Sequence, residues 1–149
     1  MNKEEIKREW FAAVRAAADT TIGKLPAPPA QGTLSRVKTD ILFRQHLYNG
    51  LFFVLGHAEG LDRMTSMSIC EEIYTDLIED VISGLYDPQE SMEVMKFMRL
   101  CSDSLSRPSV FAELLRRASG SDISDTEAAS LKVTADQELA RFAETRKAE

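Results

Sequence analysis

Residues 34–58 read LSRVKTDILFRQHLYNGLFFVLGHA, and their hydrophobic pattern is the strongest indication of the architecture. In the first half, apolar residues recur at helical spacing along one face, which predicts an amphipathic helix. From Leu47 onward the pattern is apolar on almost every side, which is typical of a helix at the centre of a bundle or at an oligomer interface. We therefore expect a long, largely buried helix from Leu34 to about Ala58.

The segments that follow this helix also have helical periodicity. Ser68 with Glu71, and Ser124 with Glu127, have the spacing of capping boxes at the start of apolar helical patterns. Pro88, preceded by an aspartate, marks a further helix start. Because no convincing alternating strand and no internal repeat is present, the sequence predicts an all-α protein, a helical bundle of about five to six helices.

The N-terminal segment is separated from the rest by a proline-rich linker. Residues 1–22 have the period and alanine content of an amphipathic helix. Residues 23–33 hold three of the five prolines, and proline disfavours helix both at its own position and at the residue before it. We expect an N-terminal helical arm, the linker and a bundle domain over residues 34–149. The arm either packs on its own domain or is exchanged within a homodimer.

Length and composition limit the class of protein. The chain has 149 residues, of which 44% are hydrophobic and 28% charged, as expected for one globular domain. The longest apolar run, Leu51 to Leu55, is too short to cross a bilayer, and the N-terminus lacks the apolar core of a signal peptide. Cys70 and Cys101 form no CxxC motif. We expect a cytoplasmic protein without membrane contact or disulfide bonds.

The net charge of −6 is distributed unevenly along the chain. Residues 1–50 carry eight basic and five acidic side chains, residues 51–106 three and eleven, and residues 107–149 seven and eight. From Met64 to Met95 there are eight acidic side chains and no lysine or arginine. This segregation predicts a surface that attracts a partner with a basic surface.

Four acidic side chains of the predicted third helix form the candidate partner-binding site. They recur at three- and four-residue steps, so they share a face, which we expect to be exposed to solvent. A solvated face that only keeps the protein soluble is the alternative interpretation. A third hypothesis is that the acidic surface mimics nucleic-acid phosphate and inhibits a DNA- or RNA-binding protein. The four residues are Glu72, Asp76, Glu79 and Asp80.

Five of the six methionines lie between residues 64 and 98. Flexible thioethers suit adaptable binding grooves, and they also fill gaps in cores. Their helical spacing favours core packing, so we expect these methionines to be buried.

His46 is followed by glycines four and ten residues later, Gly50 and Gly56. This spacing is similar to the motif of histidine phosphotransfer domains, small helical bundles in which the histidine accepts a phosphoryl group. The resemblance covers about eleven residues and implies that His46 is a phosphoacceptor in a signalling protein. The chain departs from the motif at Asn49, where the family has lysine, and at the two large residues after Gly50.

The sequence lacks the residue patterns of metal sites and of common catalytic or phosphate-binding motifs. The two histidines, His46 and His57, would lie about 16 Å apart along one helix, too far to share a metal ion. No HExxH motif, nucleophile elbow or glycine-rich phosphate loop is present. The acidic net charge argues against direct nucleic-acid binding. The sequence therefore predicts a regulatory or adaptor protein that acts through protein–protein interaction, without catalytic activity, cofactor or metal.

Overall fold

The computed structural model describes residues 2–104 and 107–148, and every regular element in these two ranges is an α-helix. The predicted all-α bundle of five to six helices is confirmed. In the described ranges, no helix is long and apolar enough to span a membrane. The helices are α1 (Lys3–Ile22), α2 (Leu34–Glu59), α3 (Arg63–Ile82), α4 (Pro88–Ser104), α5 (Pro108–Ser119) and α6 (Asp125–Ala148).

α2 is the central helix and packs against each of the other five. Around it, α1 contacts α3 and α6, and α5 contacts α6 and α4. Ile41 and Phe43 lie on nearly opposite sides of α2, yet both are fully buried, as are Leu51 and Leu55. The prediction of a long central helix is confirmed, because α2 contacts all five other helices. From Leu47 onward, however, only the face of Leu47, Leu51 and Leu55 is buried, and Phe53 is 74% exposed, so the expectation of burial on almost every side was wrong for this half.

The N-terminal helix α1 packs on its own chain, which is one of the two arrangements expected for it. Trp10, Val14 and Ile22 are fully buried. The Trp10 ring meets Phe142 of α6 edge to face, with 4.9 Å between ring centroids, and its Nε1–H donates to Glu59 of α2 at 2.7 Å. α1 is therefore an integral part of the bundle core.

α3 begins five residues before the predicted capping box. Its N-cap is Asp62, whose Oδ1 accepts a hydrogen bond from the Thr65 amide at 2.8 Å. This hydrogen bond holds the pKa of Asp62 below its ordinary value, as expected for a carboxylate at a helix N-terminus. The helix start predicted at Ser68 was wrong, because the earlier aspartate already caps the helix. The capping box predicted for α6 does form.

A glycine permits the close approach of α3 to the central helix. A Cβ atom placed on Gly56 would lie 2.8 Å from Oγ of Ser66, which is buried in the contact. Gly60 ends α2 in the left-handed conformation, with φ +65°. Gly50, in contrast, faces open space, where a side chain would meet nothing within 4 Å. Of the two glycines that follow His46, only Gly56 is therefore required by packing.

Candidate functional site

The acidic face of α3 is turned partly toward α1. Lys3 Nζ lies 3.3 Å from Glu72 Oε2, and Lys7 Nζ lies 3.7 Å from Asp76 Oδ2. Both carboxylates keep 43% of their side-chain surface exposed. The repulsion expected within α3 is therefore offset by basic side chains of a different helix, so this face is not simply a solvent face.

The other two predicted residues differ in their surroundings. Asp80 accepts a hydrogen bond from Arg44 at 2.9 Å and lies 3.6 Å from Arg15. Glu79 is exposed, and its side chain forms no hydrogen bond or ion pair with the described residues, although its backbone carbonyl accepts a hydrogen bond from the Ser83 amide. Local spacing identified the acidic residues correctly as neighbours, but it could not reveal the basic residues that face them, since these are distant in the chain.

Asp80 also lines a polar cavity of about 210 Å³ between α1, α2 and α3. Two of the arginines in its wall, Arg36 and Arg44, are almost completely buried. Guanidinium and carboxylate groups are equal in number in the wall, so their formal charges cancel. The charged residues that line the cavity are Arg15, Arg36, Arg44, Asp19, Asp40 and Asp80.

The charged groups of this cavity are hydrogen-bonded incompletely. Arg36 donates to Asp40 at 3.3 Å and to Asp19 at 3.0 Å, and Arg44 donates to the Leu77 carbonyl at 2.7 Å. Burial raises the pKa of Asp40 in spite of the two neighbouring arginines. Oδ1 of Asp40 and Nε of Arg44 are buried without a hydrogen-bond partner in the described part of the chain. Such atoms are uncommon in folded proteins and call for an explanation.

This cavity was not predicted from the sequence, although the sequence contains a pattern that indicates it. Arg36, Asp40 and Arg44 follow each other at four-residue steps on a helix that was predicted to be central. Charged residues at this spacing share one face. A charged face on a central helix must be buried against other elements, and buried charges require partners.

An exposed apolar surface lies where α2 and α3 meet. Phe53 is 74% exposed, Met64 78% and Met67 42%. The prediction that the methionines pack in the core was wrong for Met64 and Met67, as it was for Met92 and Met95. Beside Phe53 is a shallow pocket of about 280 Å³, lined by Tyr48, Phe52, Phe53, Arg63, Met67, Cys70 and Glu71.

The solvent-facing side of α3 continues this apolar surface with acidic groups. Met64, Met67 and Glu71 follow each other at three- and four-residue steps, and all three are exposed. Glu79 lies two turns beyond Glu71, and no lysine or arginine lies between them. We call Phe53, Met64, Met67, Glu71 and Glu79 the outer α3 surface. Arg63 lies at its N-terminal end.

His46 is held by two other helices. Its Nε2 lies 2.9 Å from Asp136 Oδ1 of α6, and its ring contacts Phe111 of α5 with 5.7 Å between centroids. Only 14% of its side chain is exposed. Because a carboxylate accepts this hydrogen bond, Nε2 carries the hydrogen, and only Nδ1 of the neutral ring keeps a lone pair for attack. The carboxylate would also repel a phosphoryl group, so this arrangement disfavours phosphotransfer.

In the described residues, neither the two cysteine thiols nor the potential metal ligands form a recognisable reactive or metal-binding site. Cys70 and Cys101 are unpaired, and burial raises their pKa values to about 11 and about 12. Both thiols are therefore protonated at neutral pH and poor nucleophiles. Within residues 2–104 and 107–148, no group of three or more His, Cys, Asp or Glu residues is arranged to hold a metal ion.

Comparison with known proteins assigns no family to this chain. No protein family, curated protein or solved structure matches it. The features that bear on function are therefore the geometry of the outer α3 surface and that of the polar cavity.

Proposed function

We propose that this protein is a non-enzymatic adaptor or regulatory protein that binds a basic, amphipathic helix of a protein partner along the outer α3 surface. The observation that supports this function best is the exposure of Phe53, Met64 and Met67 beside Glu71 and Glu79. Exposed apolar side chains bordered by polar residues are typical of protein interaction sites. Acidic groups at the border favour a partner with lysine or arginine there.

A partner helix fits the shape and chemistry of this surface. Met64 and Ile82, both exposed, lie eighteen residues apart on α3, which corresponds to about 27 Å of helix. The apolar face of a partner helix would contact the Phe53 ring and the thioethers, which adapt to different side chains. Its basic residues would face Glu71 and Glu79 and accelerate association.

Ion pairs within the chain determine how much each acidic residue can contribute to binding a basic partner. Glu72, Asp76 and Asp80 already face basic groups of their own chain, so their attraction for an external basic surface is reduced. Their remaining exposure adds to the negative potential around α3. The proposal therefore assigns direct contact mainly to Glu71 and Glu79. The same pairing makes mimicry of nucleic-acid phosphate less well supported, because fewer uncompensated charges remain.

We place this function in the cytoplasm and without a catalytic step. Two unpaired, buried thiols fit a reducing compartment. Phosphotransfer through His46 is a weaker candidate, because Asp136 and Phe111 surround the ring.

The proposal can be tested with a fluorescein-labelled synthetic peptide of leucine and lysine, about 18 residues long, designed as an amphipathic helix. Binding is measured by fluorescence anisotropy. We expect Met67→Ser to weaken binding about five- to tenfold through lost apolar contact. We expect Glu71→Gln with Glu79→Gln to slow association and to reduce its salt dependence.

Two matched variants and a second peptide control this experiment. Met95→Ser removes a methionine from α4 that is 59% exposed, more than Met67, and Asp122→Asn removes an exposed acid outside α3. Neither should change binding. A peptide of the same composition in scrambled order should bind more weakly, since its apolar residues no longer share one face. Equal binding of both peptides, or equal effects of Met67→Ser and Met95→Ser, would contradict the proposal.

A further inference from the structure

The polar cavity between α1, α2 and α3 shares no residue with the outer α3 surface and supports a separate inference. Three guanidinium and three carboxylate groups line it, so its wall has no net formal charge and offers opposite partners to a ligand that carries both a positive and a negative group. We propose that this cavity binds a small zwitterion, specifically a free α-amino acid, with its carboxylate toward the arginines and its ammonium toward the aspartates.

The two unpartnered atoms match the two ends of such a ligand. Nε of Arg44 is a donor on a cation, and Oδ1 of Asp40 is an acceptor on a carboxyl group. Arg44 is 3% exposed and Asp40 is 8% exposed, and they lie one turn apart on α2. A carboxylate accepts from the first and an ammonium donates to the second. An α-amino acid carries both groups on one carbon. Because both atoms are covered in this structure, the side chains of Arg44 and Asp40 must turn toward the cavity before one molecule can satisfy both.

The size and walls of the cavity also favour a small molecule. Its volume of about 210 Å³ is several times the roughly 30 Å³ that a water molecule occupies in the liquid. Val37, Val81 and Leu85 provide an apolar wall that suits an aliphatic side chain. Gly32 of the linker and Gly84 after α3 line the cavity and are exposed, so they form its rim.

The test compares one zwitterion with two related molecules that each lack one charged group. The full chain, labelled with ¹⁵N, is titrated with L-valine, with L-valinamide, which lacks the carboxylate, and with isovalerate, which lacks the ammonium. The signals followed are the Nε–H of Arg44 and the backbone amide of Gly84. We expect L-valine to shift both signals saturably and each related molecule to bind about tenfold more weakly or worse, since a charge-assisted hydrogen bond is lost.

Two variants locate the site. Asp40→Asn keeps the size of the side chain and removes the charge that meets the ammonium, so we expect L-valine to bind about tenfold more weakly. Gly84→Leu leaves every ion pair intact and obstructs the rim, and a Cβ at this position meets nothing within 4 Å. Gly84→Leu therefore tests the cavity even if the Asp40→Asn variant does not fold. Gly50→Leu is the matched control, because Gly50 also faces open space and lies outside the cavity.

Several results would overturn the inference. One is the absence of a saturable shift with L-valine. Another is equal affinity for L-valinamide or isovalerate, because a ligand with a single charge would then be sufficient. Equal effects of Gly84→Leu and Gly50→Leu would show that any binding occurs elsewhere on the chain.

Discussion

At the scale of single residues, Glu59 connects three helices through one carboxylate. Its Oε1 accepts hydrogen bonds from Trp10 Nε1 of α1 and from Arg146 Nε of α6, both at 2.7 Å. Arg146 also pairs with Glu9. Burial alone would raise the pKa of Glu59, but the hydrogen bonds from Arg146 and Trp10 hold it below its ordinary value. The charged form of Glu59 is therefore favoured by folding.

We expect Glu59→Gln to lower the free energy of unfolding by about 1.5–3 kcal/mol at neutral pH, because two hydrogen bonds lose their charged acceptor. The contribution of Glu59 is complete above the pKa of the unfolded chain, near 4.5, and is lost as the pH falls through the lower pKa of the folded state. The difference between wild type and variant should therefore shrink below about pH 4.5. Urea unfolding at several pH values measures it.

Glu144→Gln is the matched control for this prediction. Glu144 also forms an ion pair in α6, with Lys147 at 3.4 Å, but it is 74% exposed. Exposed ion pairs contribute little to stability, so this variant should unfold with nearly the wild-type free energy at every pH. A loss for Glu59→Gln that stays constant from pH 3 to pH 7 (roughly the range in which carboxylates titrate) would contradict the role of its charge.

At the scale of elements, the contact between α2 and α3 depends on Gly56 and Ser66. A Cβ on Gly56 would lie 2.8 Å from Ser66 Oγ but 3.5 Å from Ser66 Cβ, which is an ordinary contact. Ser66 Oγ is itself buried without a hydrogen-bond partner in the described ranges. We expect Gly56→Ala alone to destabilise the fold by about 1–3 kcal/mol through overpacking. Thermal and urea unfolding measure the change.

The same contact predicts that Ser66→Ala removes the destabilisation caused by Gly56→Ala. In a Ser66→Ala background the obstructing oxygen is absent, so Gly56→Ala should become neutral or stabilising by up to about 1 kcal/mol through helix propensity. Gly50→Ala, at an unobstructed helical position, shows the propensity gain alone. If Gly56→Ala cost the same in both backgrounds, the Ser66 hydroxyl would not be the obstacle.

Helices were more predictable than the contacts between them. The helical periodicity of α2 and the box that caps α6 are local patterns, and the structure reproduces both. The start of α3 was misplaced because two capping patterns competed, and Asp62 prevails over Ser68. The partner of His46 lies ninety residues away, at Asp136. A local sequence pattern does not relate residues that are so far apart in the chain. The acidic neighbour of His46, which disfavours phosphotransfer, could therefore not be predicted.

At the scale of the whole molecule, the uneven charge along the chain is partly compensated in the fold. The first fifty residues are net positive and the next fifty-six net negative. α1 comes from the first segment and α3 from the second, and Lys3, Lys7 and Arg15 of α1 face acidic side chains of α3. The segregation that suggested an external basic partner thus also reflects attraction within the chain. Glu71 and Glu79 remain on the outer side.

Cooperative unfolding tests whether α1 belongs to the core in solution. Trp10 is the chain's single tryptophan, and it is fully buried between α1, α2 and α6. Its fluorescence therefore reports the docking of α1, whereas far-UV circular dichroism reports all six helices. We expect both signals to change at the same urea concentration, since the helices share one core.

The concentration dependence of that transition distinguishes packing within one chain from exchange between two. If α1 packs on its own chain, the urea midpoint should not change over about a hundredfold range of protein concentration, because no association step contributes. Exchange of α1 within a homodimer would raise the midpoint as the concentration rises. Lys7→Gln provides an internal control: it weakens the pairing with Asp76, and any shift it causes should move both signals together. A fluorescence transition that precedes the loss of helix would show that α1 undocks while the other five helices remain folded.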